Sequence, residues 1–331
     1  MPYSWDMSLP FTTLFPRVLT VFIFLSTCWT AFEQINIISN VAKCIIILPI
    51  LITSLYTYFK VINLGPGSPL DFHDLHINNI NDVESSFELP PQFLSQNSLT
   101  IKNNGRPRVC RTCNVWKPDR SHHCSTCNRC VLKMDHHCPW FSECIGFKNQ
   151  KFFIQFLIYN TTYAYVIAIL TSKQMYNWFD DGSYENEFVN MYLLFLWILA
   201  LVVSLALSCF AGFSVYMVMN NKTTIEMYAM RKYRDDLELY NRNPNRVPSV
   251  ENIFDLGSKK ENWEDIMGHS FIEWLLPIST FHSLLMKNTL DEKGLYFKVN
   301  ERVHQRLLDS ANIQDQLLRR VTPGSSFDIN G

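Results

Sequence analysis

The chain of 331 residues has almost no net charge: 29 Lys and Arg stand against 30 Asp and Glu, a formal balance of −1. No net basic excess marks it for nucleic acid, and none is expected as a partner. There is no glycine-rich phosphate loop and no evident internal repeat. The opening MPYSWDMSLP lacks a basic n-region and a small-residue cleavage site, so the first apolar segment is expected to remain as a helix. Two long stretches, 152–172 and 188–221, contain no Asp, Glu, His, Lys or Arg at all. That absence excludes an ion or metal pathway built from ionisable ligands inside those segments.

Hydrophobic residues make up 47% of the chain, with 24 Phe, yet mean hydropathy is only −0.02, so apolar residues are concentrated in segments. Four spans are predicted: 18–38, 41–62, 152–172 and 188–221. The first has the shortest uncharged core, with Arg17 before it and Glu33 and Gln34 near its far end. A tight turn must join it to the second, whose Lys43 and Lys60 are placed where long cationic stems can snorkel. Of the Lys and Arg, ten lie in 62–151 and fifteen in 222–320, whereas 173–187 holds Lys173 against Asp180, Asp181, Glu185 and Glu187. Basic loops stay cytoplasmic, which puts the segment between spans two and three and the C-terminal region in the cytosol.

Residues 63–105, rich in Pro, Asn, Ser and Asp, read as a cytosolic linker after the helix stop Gly65-Pro66-Gly67. Residues 271–278 are too short to cross a bilayer and suit its interface. Apolar positions from Val303 to Val321 recur at helical spacing and predict an amphipathic or docked tail helix. The resulting division is 1–62, first two spans; 63–105, linker; 106–151, cysteine-rich domain; 152–221, last two spans; 222–331, C-terminal cytosolic region.

The cytosolic segment 110–144 packs seven cysteines and four histidines into 35 residues. In a reducing compartment such a cluster binds metal rather than forming disulfides. The Cys-x2-Cys spacings 110/113, 124/127 and 127/130 present paired ligands, and two tetrahedral sites would use eight of the eleven candidates. Clusters of this kind are most often purely structural. Here Cys138 stands beside His136 and Asp135 as the obvious surplus thiol. In an extended strand His136 and Cys138 share one face while His137 faces the other way, towards a metal. A neighbouring imidazole raises the thiolate fraction of a cysteine and makes it a nucleophile. Alternation alone does not put Asp135 on the same face. Cys28, Cys44 and Cys209 fall in predicted spans and read as packing.

The pattern Cys110-x2-Cys113, Lys117-Pro118-x-Arg120-x2-His123-Cys124-x2-Cys127-x2-Cys130, Asp135-His136-His137-Cys138-x-Trp140 and Cys144-x-Gly146-x2-Asn149 resembles the cysteine-rich domain of the DHHC protein S-acyltransferases. The resemblance implies an α-helical integral membrane protein with four transmembrane helices and a cytosolic zinc-binding domain between helices two and three. It implies one zinc on Cys110, Cys113, His123 and Cys130 and a second on Cys124, Cys127, His137 and Cys144. Cys138 would be the nucleophile, His136 its base and Asp135 the orienting carboxylate. Glu143 stands where the family usually has Asn. Thr223-Thr224-x-Glu226 and the Asn252-x2-Asp255-Leu256-Gly257 and Asn262-Trp263 elements are similar to the family's C-terminal motifs, with Thr224 and Asn262 as structural support.

The activity so implied transfers a long-chain fatty acyl group, palmitoyl, from acyl-CoA through an acyl-enzyme on Cys138 to accessible cysteines of cytosolic-face or peripheral membrane proteins. The stretch WFSECIGFKNQKFFIQF is similar to fungal vacuolar members, which favours the vacuolar membrane over Golgi or ER. A membrane adaptor with a partner-binding zinc module is the rival class, and it would not become acylated. Phe153, Phe156, Asn160 and Tyr163 form one face of a helix that begins near Phe152, fourteen residues after Cys138. Such a face usually packs against neighbouring helices, but the resemblance, to relatives that hold the acyl chain between their spans, implies Trp140, Phe153 and Phe156 near the thioester and Tyr163, roughly 16 Å along the helix from Phe152, setting the depth of an acyl cavity.

Overall fold

A computed structural model describes residues 11–85, 87–99, 107–182, 185, 188–240, 251–280, 289–306 and 309. Four of its helices are long and apolar enough to cross a membrane: α1 (Phe11–Gln34), α2 (Asn40–Leu64), α5 (Gln150–Asp180) and α6 (Met191–Met219). α1 begins seven residues before the expected span and ends four residues short of it, at Gln34, so that Arg17 lies within the helix. Ser39 caps α2 by accepting from the Ala42 amide at 3.3 Å, and Gly65, at φ 63°, ends it with its amide on the Val61 carbonyl. Lys43 does not snorkel. Its side chain is 1% exposed, with Nζ donating to the Phe32 carbonyl at 2.5 Å and lying over the Phe32 ring, so it stitches the α1–α2 turn from inside. A carbonyl left open at a helix C-terminus is a natural seat for an ammonium group.

Residues expected as linker are folded. Turns of 3-10 helix at Pro69–Asp71 and His73–Leu75, then α3 (Ile80–Glu84) and α4 (Gln92–Asn97), bury Leu75, Ile77, Val83 and Leu94 against Trp116, Leu132 and Leu295. Apolar residues in this segment are too widely spaced to show a period, because each anchors a different short element.

The cysteine-rich segment forms three antiparallel hairpins: β1 (Arg108–Cys110) with β2 (Val115–Lys117), β3 (His122–Cys124) with β4 (Arg129–Val131), and β5 (His136–Cys138) with β6 (Glu143–Ile145). Their registers are the same: Arg108 faces Lys117, His122 faces Val131 and His136 faces Ile145. Asn114, Asn128 and Ser142 take φ of 51°, 47° and 50° at the same place in each turn. A 14-residue structural repeat is therefore present where the sequence shows none at a glance. It equates Ser121-His122-His123-Cys124 with Asp135-His136-His137-Cys138.

The third hairpin leads directly into α5. Asn149, wholly buried, accepts from the Gly146 amide at 2.9 Å and donates to the carbonyls of Cys144 and Val61 at 3.0 and 3.3 Å, tying β6 to the end of α2. Gly146 is required here, since a Cβ would lie 2.6 Å from the Leu132 carbonyl oxygen. After α6 come α7 (Thr224–Tyr240), α8 (Lys259–Met267) and α9 (Phe271–Leu275). Asn262 donates to the Met219 carbonyl at 2.9 Å and to Asp255 at 2.8 Å, and accepts from the Leu256 amide at 2.9 Å, which fastens the Asp255-Leu256-Gly257 turn to the end of α6. Of the tail helix expected over 303–321, only residues 303–306 and 309 are among those described.

Candidate active site

The hairpin repeat sorts the ligands. Cys110 and Cys113 of the first turn meet His123 and Cys130 of the second hairpin, and Cys124 and Cys127 of the second turn meet His137 and Cys144 of the third. Within each set every ligand atom lies within 4.8 Å of the others. His123 Nδ1 is 3.6, 3.3 and 4.0 Å from the sulfurs of Cys110, Cys113 and Cys130. His137 Nδ1 is 3.8, 3.3 and 3.7 Å from those of Cys124, Cys127 and Cys144. Both clusters could hold a metal. Each takes a cysteine pair from one hairpin and a His and a Cys from the next.

The third turn has no fourth hairpin to complete it. Cys138 occupies the position of Cys110 and Cys124, but Phe141 stands where they have Cys113 and Cys127. Cys138 is thus outside both sets and 5% exposed. It joins the wall of a cavity of about 420 Å³ that also includes Asp135, His136, Trp140, Gln150 and Phe153.

His136 and His122 sit at the same place in the repeat and are driven in opposite directions. Burial pulls His122 down to about 4, helped by Arg108 and Lys117. Burial also pulls on His136, but hydrogen bonds to Asp135 and Cys138 outweigh it and push it up to about 9. His122 has the cations Arg108 and Lys117 beside it, whereas His136 has Cys138 and, in the place of Ser121, Asp135. Asp135 Oδ2 accepts from His136 Nδ1 at 2.8 Å, and its other oxygen accepts from the Thr224 amide at 2.6 Å. Burial would raise the Asp135 carboxyl, yet these contacts hold it below the ordinary carboxylate range.

Thr224 is placed by the start of α7. Thr223 and Glu226 form a capping box: the Glu226 amide donates to Thr223 Oγ1 at 3.2 Å and the Thr223 amide to Glu226 Oε2 at 2.9 Å. Glu226 also accepts from Arg120 at 2.7 and 2.9 Å, and Arg120 donates to Asn221 Oδ1 and its carbonyl at 2.9 and 3.0 Å. Asn221 is itself 2% exposed. Glu143, the departure from the family pattern, receives the Cys144 amide at 3.1 Å and Arg129 at 3.4 Å, beside the second ligand set.

The expected acyl-cavity residues divide. Trp140 and Phe153 line the cavity at Cys138. Phe156 packs on Tyr58, Phe141 and Phe24, with ring centroids 5.7, 5.2 and 6.4 Å away, and is not in that wall. Tyr163 lies deeper, its hydroxyl 3.1 Å from Thr27 Oγ1 of α1 and its ring 5.7 Å from Phe24. The opposite wall comes from α6, through Phe210, Phe213, Ser214 and Met217, which sequence reasoning missed. α6 is apolar on every side, so no periodicity singles out a face.

Four membrane helices joined by this hairpin array define a class. The family model for DHHC palmitoyltransferase matches residues 103–231. The chain belongs to this family and is a multi-pass membrane enzyme that transfers palmitoyl groups to protein cysteines. It is similar to palmitoyltransferase PFA3 of Saccharomyces cerevisiae, 51% identical over 97% of this chain and 96% of that one. Proteins of the same description match at 48% identity in Candida glabrata (97% of each chain) and at 40% in Kluyveromyces lactis (95% and 97%). The adaptor reading is thereby set aside.

Proposed function

We propose that Cys138 carries the acyl group, with His136 as its base and Asp135 as the orienting carboxylate. The observation that carries this is the relay Thr224 amide to Asp135 to His136, built beside the one cysteine of the cluster outside both ligand sets. The donor is a long-chain fatty acyl-CoA, palmitoyl-CoA, whose headgroup stays in the cytosol.

His136 takes the proton from the Cys138 thiol through the ring nitrogen turned away from Asp135. The thiolate adds to the thioester carbonyl, and the bond to the coenzyme A sulfur breaks. The departing thiolate takes the proton from His136. A cysteine of the protein substrate then gives its proton to the same imidazole, attacks the acyl-enzyme and releases Cys138 as thiolate, to which the proton returns. Coenzyme A therefore leaves before the protein product.

The two ligand sets suit zinc. Zn–S of about 2.3 Å and Zn–N of about 2.0–2.1 Å give tetrahedral edges of roughly 3.6 Å for N to S and 3.8 Å for S to S. Distances of 3.3 to 4.0 Å about the two imidazoles, and 3.6 Å between Cys127 and Cys144, are of that size. Four protein ligands on each ion leave no open position, so zinc supplies rigidity rather than Lewis acidity.

Trp140 and Phe153 flank the thioester, and Phe156 and Tyr163 mark the path of the acyl chain towards α1. Basic residues put the site on the cytosolic face. Similarity of the segment around Trp140 to fungal vacuolar members supports the vacuolar membrane. Hydroxylamine-sensitive labelling of purified protein by radioactive palmitoyl-CoA tests the core of this reading. Cys138→Ser is expected to keep two metals per chain and lose all label, whereas Cys144→Ser loses metal and folds poorly. Metal loss in Cys138→Ser would show that this cysteine is a ligand.

A further inference from the structure

The third hairpin turn carries the nucleophile yet lacks the cysteine pair of the other two. Its backbone is held from another direction. Arg17 of α1 donates through Nε to the Phe141 carbonyl at 3.2 Å, and Tyr58 of α2 donates through its hydroxyl to the Trp140 carbonyl at 2.8 Å. These two carbonyls are adjacent in the chain and lie two and three residues beyond Cys138. Tyr58 is wholly buried. Phe141, in the place of the second cysteine, is 1% exposed, with ring centroids 5.0, 5.9 and 5.2 Å from Tyr58, Phe153 and Phe156. Within the turn, the Phe141 amide reaches back to the Cys138 carbonyl at 3.2 Å.

We infer that Arg17 and Tyr58 are positioning residues for Cys138: with Phe141 they form a transmembrane brace for the third turn, where the first two turns have ligand pairs. The physical reasoning is local. A three-residue strand that runs into a turn whose Trp140 is 58% exposed has little of its own to fix that turn. Two hydrogen bonds from separate membrane helices fix two successive peptide planes, and a buried ring fixes the side chain between them. Displacement of a nucleophile by about 1 Å can cost a hundredfold in rate, so a brace of this kind acts on catalysis without touching substrate. It also ties the geometry of the nucleophile to the seating of α1 and α2, which the hairpin array alone could not do.

The inference rests on the reading of Cys138 as nucleophile, and the test separates the two. In full-length purified protein, Tyr58→Phe removes only the hydroxyl and keeps the ring packing, Arg17→Gln removes the charge, and Arg17→Lys keeps a donor. Single-turnover loading from palmitoyl-CoA is expected to slow about tenfold in Tyr58→Phe and in Arg17→Gln, and further in the double variant. KM for palmitoyl-CoA should stay within about twofold, metal should remain at two per chain, and Arg17→Lys should recover most of the lost rate. Wild-type loading by the double variant overturns the inference while Cys138→Ser remains unlabelled. Slow loading with proportionate loss of metal or melting temperature, and normal rate per folded molecule, also overturns it. Label retained by Cys138→Ser would instead remove the reading beneath.

Discussion

At the scale of single residues, the repeat turns similar side chains to different ends. His122 and His136 share a strand position, as do Cys124 and Cys138, and of each pair only the second lines the cavity. Adjacent His136 and His137 split as well, because alternation sends one to the cavity and the other to a ligand set. His136→Ala is therefore expected to slow acyl loading by about two orders of magnitude with two metals retained, the usual scale for a lost general base. His137→Ala should release one metal and destabilise the domain. Parallel metal analysis and loading rates check the division, and equal metal loss in the two variants would contradict it.

At the scale of elements, the site depends on contacts between segments distant in the chain. Arg120, 3% exposed, pairs with Glu226 across the junction between the hairpins and α7. Burial would raise the Glu226 carboxyl, but Arg120 holds it below the ordinary value. Breaking such a pair leaves a buried cation uncompensated, so Glu226→Gln should cost about 3 kcal/mol at neutral pH. A depressed acid contributes stability that is fully present above its unfolded pKa and is lost as pH falls through the folded value. The gap in denaturation free energy between wild type and Glu226→Gln should accordingly be constant near neutrality and shrink below the ordinary carboxylate value of 4.5. A gap that stays constant into acid would show that charge is not its source. Deeper in the membrane, Tyr163 joins α5 to α1 through Thr27. Tyr163→Ala should open that end and favour longer acyl-CoAs in competition, by about 0.8 kcal/mol or fourfold per extra methylene buried. A mutant that loads well with an unchanged chain-length profile would show that this pair only packs the helices together.

At the scale of the whole molecule, the four spans put the hairpin array and the start of α7 at one end of the helices and Asp181 and Gly182 at the other. The gradient of Lys and Arg predicts that the first side is cytosolic. In sealed vesicles of known orientation, a cysteine introduced at Gly182 should react with an impermeant maleimide from the face opposite to one introduced at Lys259. Labelling of both from the same face would refute the four-span topology.

The sequence alone determined the four apolar runs and a surplus of Cys and His over eight metal ligands, because hydrophobicity and cysteine spacing are local properties of the chain, whereas spacing by itself left open which eight form the two sets. An extended strand with a period of two is enough to turn His136 and Cys138 one way and His137 the other. Tertiary structure decided the rest. Asp135 sits against His136 with its other oxygen held by the Thr224 amide of α7, 89 residues later in the chain. The segment expected as linker folds because its scattered apolar residues find a surface on the hairpins. Lys43 stays inside because a helix-end carbonyl from α1 meets it. The α6 wall of the cavity and the Arg17–Tyr58 brace have no signature in the sequence, because an all-apolar helix has no preferred face and a carbonyl acceptor is the same at every residue. Only packing chooses which face and which carbonyl are used.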